Sequence, residues 1–220
     1  MATLSKIERR KRMEYFNLND GNRIPKIGFG TYKLNGSRGV FAIQAALKNG
    51  YRLLDSAVNY ENEGAVGRAI KNSSVNRDNI FITSKLPGRH HKYQEALEQI
   101  QESLYSADLD YYDLYLIHWP NPKENHYLEA WSPLQRGGEA FQEKEIIELA
   151  QKYHKSPAQI ILRWETQINV VPIPKASSYE HQLSNLDIFD FKLTPEEVQS
   201  LIDLDKESAR RFDPNEHEEF

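Results

Sequence analysis

The sequence predicts an α/β fold: an incomplete (β/α)8 barrel of about six parallel strands, preceded by an N-terminal β-hairpin. Three observations carry that expectation. Strand-like and helix-like stretches alternate from residue 27 onward, the pattern of a parallel sheet built from βα units. The strand cores, IFIT and LYLI among them, are nearly all apolar, as in strands covered on both faces. Only six convincing strands follow the hairpin in a chain of 220 residues, whereas a closed (β/α)8 barrel needs eight and typically about 250 residues.

Residues 1–12 carry Lys6, Arg9, Arg10, Lys11 and Arg12 against Glu8 alone and read as a flexible leader. A tether to nucleic acid or membrane is the weaker reading, because five basic residues with little apolar surface attract only weakly and in a salt-sensitive way. EYFNL, NDG and NRIP (14–25) then form the hairpin, with Asp20-Gly21 supplying the positive-φ turn. IGFGTY (27–32) is the first sheet strand and a helix follows it through Gly50. YRLLDSA (51–57) precedes a helix over 62–72, NIFITSKL (79–86) a helix near 94–106, and YDLYLIHW (112–119) is the fourth strand. Beyond it come a strand LEAWSPL (128–134), a helix over 143–154, and a helix opened by Ser156-Pro157 that runs to Trp164. A strand NVVPIPKA (169–176) follows, and 185–191 is a loop or helix end. Thr194-Pro195-Glu196-Glu197 starts a last helix, with a capping Thr, Pro at the first position and acids in the first turn. Residues 13–206 thus form a single domain, and 207–220, ending in NEHEEF, a polar tail.

Composition narrows the chemistry. With no cysteine, the chain has no disulfide, thiolate metal site, iron–sulfur cluster or cysteine nucleophile. No apolar stretch approaches the roughly 20 residues of a membrane span, and MATLSKIERRKRMEYF lacks the apolar core of a signal peptide. A soluble cytoplasmic protein is therefore expected, with no membrane partner. The 28 basic and 32 acidic residues nearly balance, which argues against a nucleic-acid partner and for a small molecule.

Polar residues gather at or just past the carboxyl ends of three successive strands: Asp55 with Tyr60, then Lys85, then His118. That rim is where parallel α/β folds bind ligands. A phenol of ordinary pKa about 10 is a poor acid–base group at neutral pH unless a neighbouring cation lowers it, and a carboxylate can hold that cation. Lys85 and Asp55 suit those two roles, Tyr60 the proton donor to a carbonyl oxygen, and His118 the group that orients that oxygen. Taken singly, Asp55 reads as a helix cap or loop ligand, Tyr60 as one of twelve tyrosines, and His118 as a satisfied core histidine. Lys85 on an apolar strand is harder to dismiss, since an unpaired buried ammonium is costly. A metal site of Asp55, Glu61 and His118 is disfavoured, because Lys85 beside the acid would repel a divalent cation.

The stretches IPKIGFGTYKL (24–34), YRLLDSAVNYENEGAVGRAI (51–70), IFITSKL (80–86), DLYLIHWPNP (113–122), EAWSPL (129–134), PAQIILRW (157–164) and VVPIPKAS (170–177) resemble the aldo-keto reductase family, in family order. The resemblance implies a catalytic tetrad of Asp55, Tyr60, Lys85 and His118, NADPH as cofactor with NADH as the alternative, and a small aldehyde or ketone as substrate. It assigns Gly30, Thr31, Tyr32 and Asp55 to the first loops around the nicotinamide, and Trp131 to the aromatic under the ring. Ser132 and Leu134 fall to the pyrophosphate side, Lys175, Ser177 and Ser178 to the adenosine 2′-phosphate, and Asn185 to adenine. His181 departs from the family, standing where an Arg usually stacks on adenine, and imidazole is neither forked nor reliably charged.

A larger departure lies between Tyr127 and Leu128, where HWPNPKENHY runs straight into LEAWSPL. The family carries two further βα units there, with a Ser, an Asn and a Gln that grip the nicotinamide carboxamide. Their loss leaves two strand edges open, which predicts self-association through those edges, closure into a smaller sheet, or a marginal fold. Two functions follow as expectations: an NAD(P)H-dependent reductase of reduced or lost activity, or a non-catalytic relic that self-associates or binds a partner.

Overall fold

The computed structural model describes residues 13–118 and 139–204. The leader 1–12, the predicted strand at 128–134 and the tail 207–220 lie outside the described residues. Two compact units emerge, one of residues 30–48 and 52–118, the other of 13–29, 49–51 and 139–204. No helix among the described residues is long and apolar enough to cross a membrane.

The first unit holds the parallel sheet. Its strands are β3 (Phe29–Gly30), which starts at the unit boundary, β4 (Leu53–Asp55), β5 (Phe81–Leu86) and β6 (Leu114–Ile117), in spatial order 3-4-5-6. Helices α1 (Gly36–Asn49), α2 (Glu63–Lys71) and α3 (Tyr93–Ala107) alternate with them, as the apolar spacing predicts. Asp55 stands opposite Thr83, and Lys85 opposite Leu116. Because side chains alternate across a strand, Thr83 and Lys85 share one face. Leu53, Leu54, Ile80 and Ile82 are fully buried. β6 is the last strand of the sheet among the described residues and differs: Leu114, Leu116 and Ile117 are 37%, 38% and 56% exposed. The near-all-apolar pattern was therefore a sound guide to strand type, while burial on both faces fails at this edge.

α2 and α3 approach closely because Gly67 has no side chain. A Cβ there would lie 1.6 Å from the Ala107 carbonyl oxygen, backbone that cannot swing aside. Gly67→Ala should therefore cost about 3 kcal/mol of stability, read as a lower midpoint in urea unfolding, because the two helices must separate.

The second unit contains the hairpin and four helices. β1 (Tyr15–Asn17) pairs antiparallel with β2 (Arg23–Pro25), and Gly21 turns between them at φ 86°. α4 (Lys144–Tyr153), α5 (Pro157–Gln167) and α7 (Pro195–Asp203) bury Ile146, Leu149, Ile160, Ile161, Leu193 and Leu201 together. α5 and α7 open with reciprocal capping boxes, Ser156 with Gln159 and Thr194 with Glu197, each followed by a proline at the first helical position. α6 (Tyr179–Leu186) is tied inward by Gln182, whose Oε1 accepts from Asn49 Nδ2 at 2.8 Å.

NVVPIPKA, expected as a strand, joins no ladder among the described residues. Pro172 and Pro174 have no N–H to donate, which removes every second rung of an edge such a segment could offer. Its backbone instead meets the Gly28 N–H through the Pro172 carbonyl at 2.9 Å.

Candidate active site

The first unit brings together the four rim residues. Asp55 ends β4, Tyr60 ends the 3-10 turn Val58–Tyr60, Lys85 lies on β5, and His118 follows β6, its N–H bonded to the Leu86 carbonyl at 2.9 Å. The Lys85 ammonium donates to Asp55 Oδ2 at 2.6 Å, to the Ser56 carbonyl at 2.9 Å and to the Tyr60 hydroxyl at 3.3 Å. Three protons thus meet three acceptors, which fixes the ammonium. Asp55 is held in turn: Thr83 Oγ1 donates to its Oδ1 at 2.7 Å, and Thr31 Oγ1 to its carbonyl at 2.8 Å. With both carboxylate oxygens engaged and a cation at 2.6 Å, Asp55 is a poor metal ligand.

The Tyr60 ring meets His118 edge-on, centroids 5.5 Å apart, and meets Tyr32 at 5.1 Å. Its main chain is pinned by Asn35, whose Nδ2 reaches the Tyr60 and Glu61 carbonyls at 3.2 Å each. The neighbouring Asn62 is buried; its Nδ2 donates to the Thr31 carbonyl at 2.5 Å, and its Oδ1 accepts from Ser56 Oγ at 2.9 Å. That one amide therefore joins the loop after β3 to the loop after β4. Sequence reading passes over Asn62, Ser56 and Thr83. Thr83 carried a usable signal, a hydroxyl two residues before Lys85 on an otherwise apolar strand.

Electrostatics correct one expectation. Lys85 does not bring the Tyr60 hydroxyl below the ordinary phenol range. Burial pushes it well above, and the Asp55 charge and Tyr32 add to the rise. The reason is that Asp55, 2.6 Å from Lys85, offsets the cation, leaving desolvation dominant. Burial also lowers the Lys85 ammonium, against the opposing pull of Asp55. His118 is pushed down to about 4, first by burial and then by Lys85. At neutral pH the cluster is a neutral phenol, a neutral imidazole and a Lys–Asp ion pair. It can give one proton to an oxygen beside Tyr60, with the Lys85 hydrogen bond ready to meet the resulting phenolate.

The residues assigned to the cofactor divide between the units. In the first, Gly30 lies in β3, Thr31 is buried against Asp55, and Tyr32 is exposed beside Tyr60. In the second, Lys175 and Ser177 are exposed, Ser178 caps α6 by accepting from the His181 N–H at 3.2 Å, and His181 is exposed. A cation, an exposed hydroxyl and a helix start make a donor set suited to a phosphate. Asn185 is 7% exposed and hydrogen-bonds the Tyr51 hydroxyl. Trp131, Ser132 and Leu134 lie outside the described residues.

Comparison with known proteins identifies the family. The profile of the "Aldo/keto reductase family" matches residues 26–140 and 139–206. The chain is 36% identical to 2,5-diketo-D-gluconic acid reductase B of Corynebacterium sp., over 92% of this chain and 97% of that one. It is 33% identical to methylglyoxal reductase DkgA of Escherichia coli, over 90% and 96%. Among solved structures it resembles an aldo/keto reductase of Brucella melitensis, with a TM-score of 0.79 and 30% identity over 88% of this chain and all of that one. It also resembles a Bombyx mori aldo-keto reductase in complex with NADP, with a TM-score of 0.74 and 27% identity over 86% and 92%. The Corynebacterium alignment runs over 269 positions, while 92% of 220 residues is about 202, so about 67 positions hold residues of the relative alone.

Proposed function

This chain belongs to the aldo/keto reductase family, and on that premise we propose that it reduces small aldehydes or ketones to alcohols with NADPH. The observation that carries this reading is the run of contacts from Asp55 through Lys85 to the Tyr60 hydroxyl, at 2.6 and 3.3 Å. The Bombyx enzyme's complex with NADP and the Escherichia coli relative's action on methylglyoxal support the cofactor and the substrate class. When bound, the nicotinamide supplies a hydride to the carbonyl carbon. Tyr60 gives its hydroxyl proton to the carbonyl oxygen, and Lys85, held by Asp55, stabilises the phenolate left behind. His118, neutral at pH 7, donates to the same oxygen and sets its direction. Lys175 and Ser177 would hold the phosphate at the adenosine end. Loss of nicotinamide absorbance with methylglyoxal, dependent on the purified chain, tests the reading; NADPH binding without turnover would overturn it.

The positions present only in relatives fit an internal deletion of about two βα units, in the region that joins Tyr127 to Leu128. One observation favours a second reading, a relic that self-associates: the exposed side chains of β6, inherited from a closed sheet. Leu114 and Leu116 share the face of Thr83 and Lys85, which a closed barrel turns inward. Light scattering coupled to size exclusion should therefore detect dimers or larger species whose fraction grows with concentration. A sharp monomer peak at every concentration would remove the edge as an association surface.

A further inference from the structure

We propose that Arg89 selects carbonyl substrates that carry a carboxylate, a reading that rests on the carbonyl reduction proposed above. The loop leaving β5 holds Arg89, His90, His91 and Lys92 in a row, in a chain whose formal net charge is −4. Arg89 lies in the turn Gly88–His90, four residues past Lys85, and is exposed. Its Nη1 donates to Asn59 Oδ1 at 2.8 Å, and Asn59 immediately precedes Tyr60 in the turn Val58–Tyr60.

The partner is what makes this arginine informative. Three other cations of the same unit spend their charge on acids, Arg77 on Asp113 at 2.7 Å, Lys71 on Asp108 at 2.7 Å and Lys92 on Glu95 at 3.5 Å, while Arg52 donates to the Leu47 carbonyl at 2.9 Å. Among the described residues, no acid pairs with Arg89. A neutral amide orients the guanidinium without cancelling its charge, and it does so from the residue next to the proton donor. The planar fork matches a carboxylate, which it can bind with two parallel hydrogen bonds. A substrate with its carbonyl oxygen at the Tyr60 hydroxyl and an anionic far end would meet this guanidinium beside the turn that carries both Asn59 and Tyr60.

Two aldehydes that differ only in charge test the assignment: 4-formylbenzoate and its methyl ester. The wild-type chain should favour the carboxylate in kcat/KM. In Arg89→Gln the carboxylate-to-ester ratio should fall about ten-fold through KM, and added salt should compress the wild-type ratio in the same sense. Equal changes for both aldehydes, or an unchanged ratio, would overturn the role of Arg89. Should the wild-type chain turn over neither compound, the proposed reduction fails on its own. Binding of both compounds by ligand-observed NMR then decides the present question: carboxylate preference lost in Arg89→Gln sustains it, and equal binding overturns it.

Discussion

Replacing Tyr60 with Phe should lower carbonyl reduction by about 100-fold or more while leaving NADPH affinity within about two-fold, since one oxygen is removed and no backbone moves. The size follows from what that oxygen does. It is the one acidic proton that the Lys85 ammonium, at 3.3 Å, is placed to support after it leaves. Burial and Asp55 hold the phenol above its ordinary range, so at neutral pH the donor is fully protonated and reduction should not fade as the pH rises toward 9. On the acid side, protonation of His118 begins only near 4, because burial and Lys85 oppose a second positive charge there. A rate profile for kcat/KM should therefore be flat through neutrality. Retained turnover in Tyr60→Phe, measured with the same aldehyde and saturating NADPH, would remove Tyr60 as the proton donor and point to a water held by His118.

The nearness of Asp55 and Lys85 was legible in the sequence because both lie on strands whose register leaves little freedom. Asp55 and Lys85 sit near the ends of adjacent apolar runs, and parallel pairing of Asp55 with Thr83 places Lys85 two residues on, facing the same side. The direction of the Tyr60 shift was not legible. Residue identity says that a cation is near, but the outcome depends on burial and on how closely Asp55 neutralises that cation. NVVPIPKA misleads for a related reason: its apolar residues look like a buried strand, yet a ladder needs donors, and two prolines withhold them. Where backbone geometry alone decides, as at Asp20-Gly21 or the capped starts at Ser156 and Thr194, reading and structure coincide.

The pH dependence of stability should be governed by a residue outside the site. Glu165 on α5 is 8% exposed, and its Oε2 has no hydrogen-bond partner among the described residues. Desolvation by burial pushes its carboxyl up to about 8 from the 4.5 of a solvated glutamate. Between those values the folded chain keeps a proton on Glu165 that the unfolded chain has released. Stability from this group is therefore complete below about pH 4.5, declines as the pH rises, and is gone above about pH 8. A shift of that size corresponds to about 4 kcal/mol at 1.36 kcal/mol per unit, allowing for some access of water to the carboxyl. Glu165→Gln retains the shape and removes the ionisation. Urea unfolding should accordingly show little difference from the parent near pH 4.5 and a higher midpoint for the variant at about pH 9, while the parent alone weakens between them. The same pH slope in both proteins would place the titration elsewhere and remove Glu165 as its source.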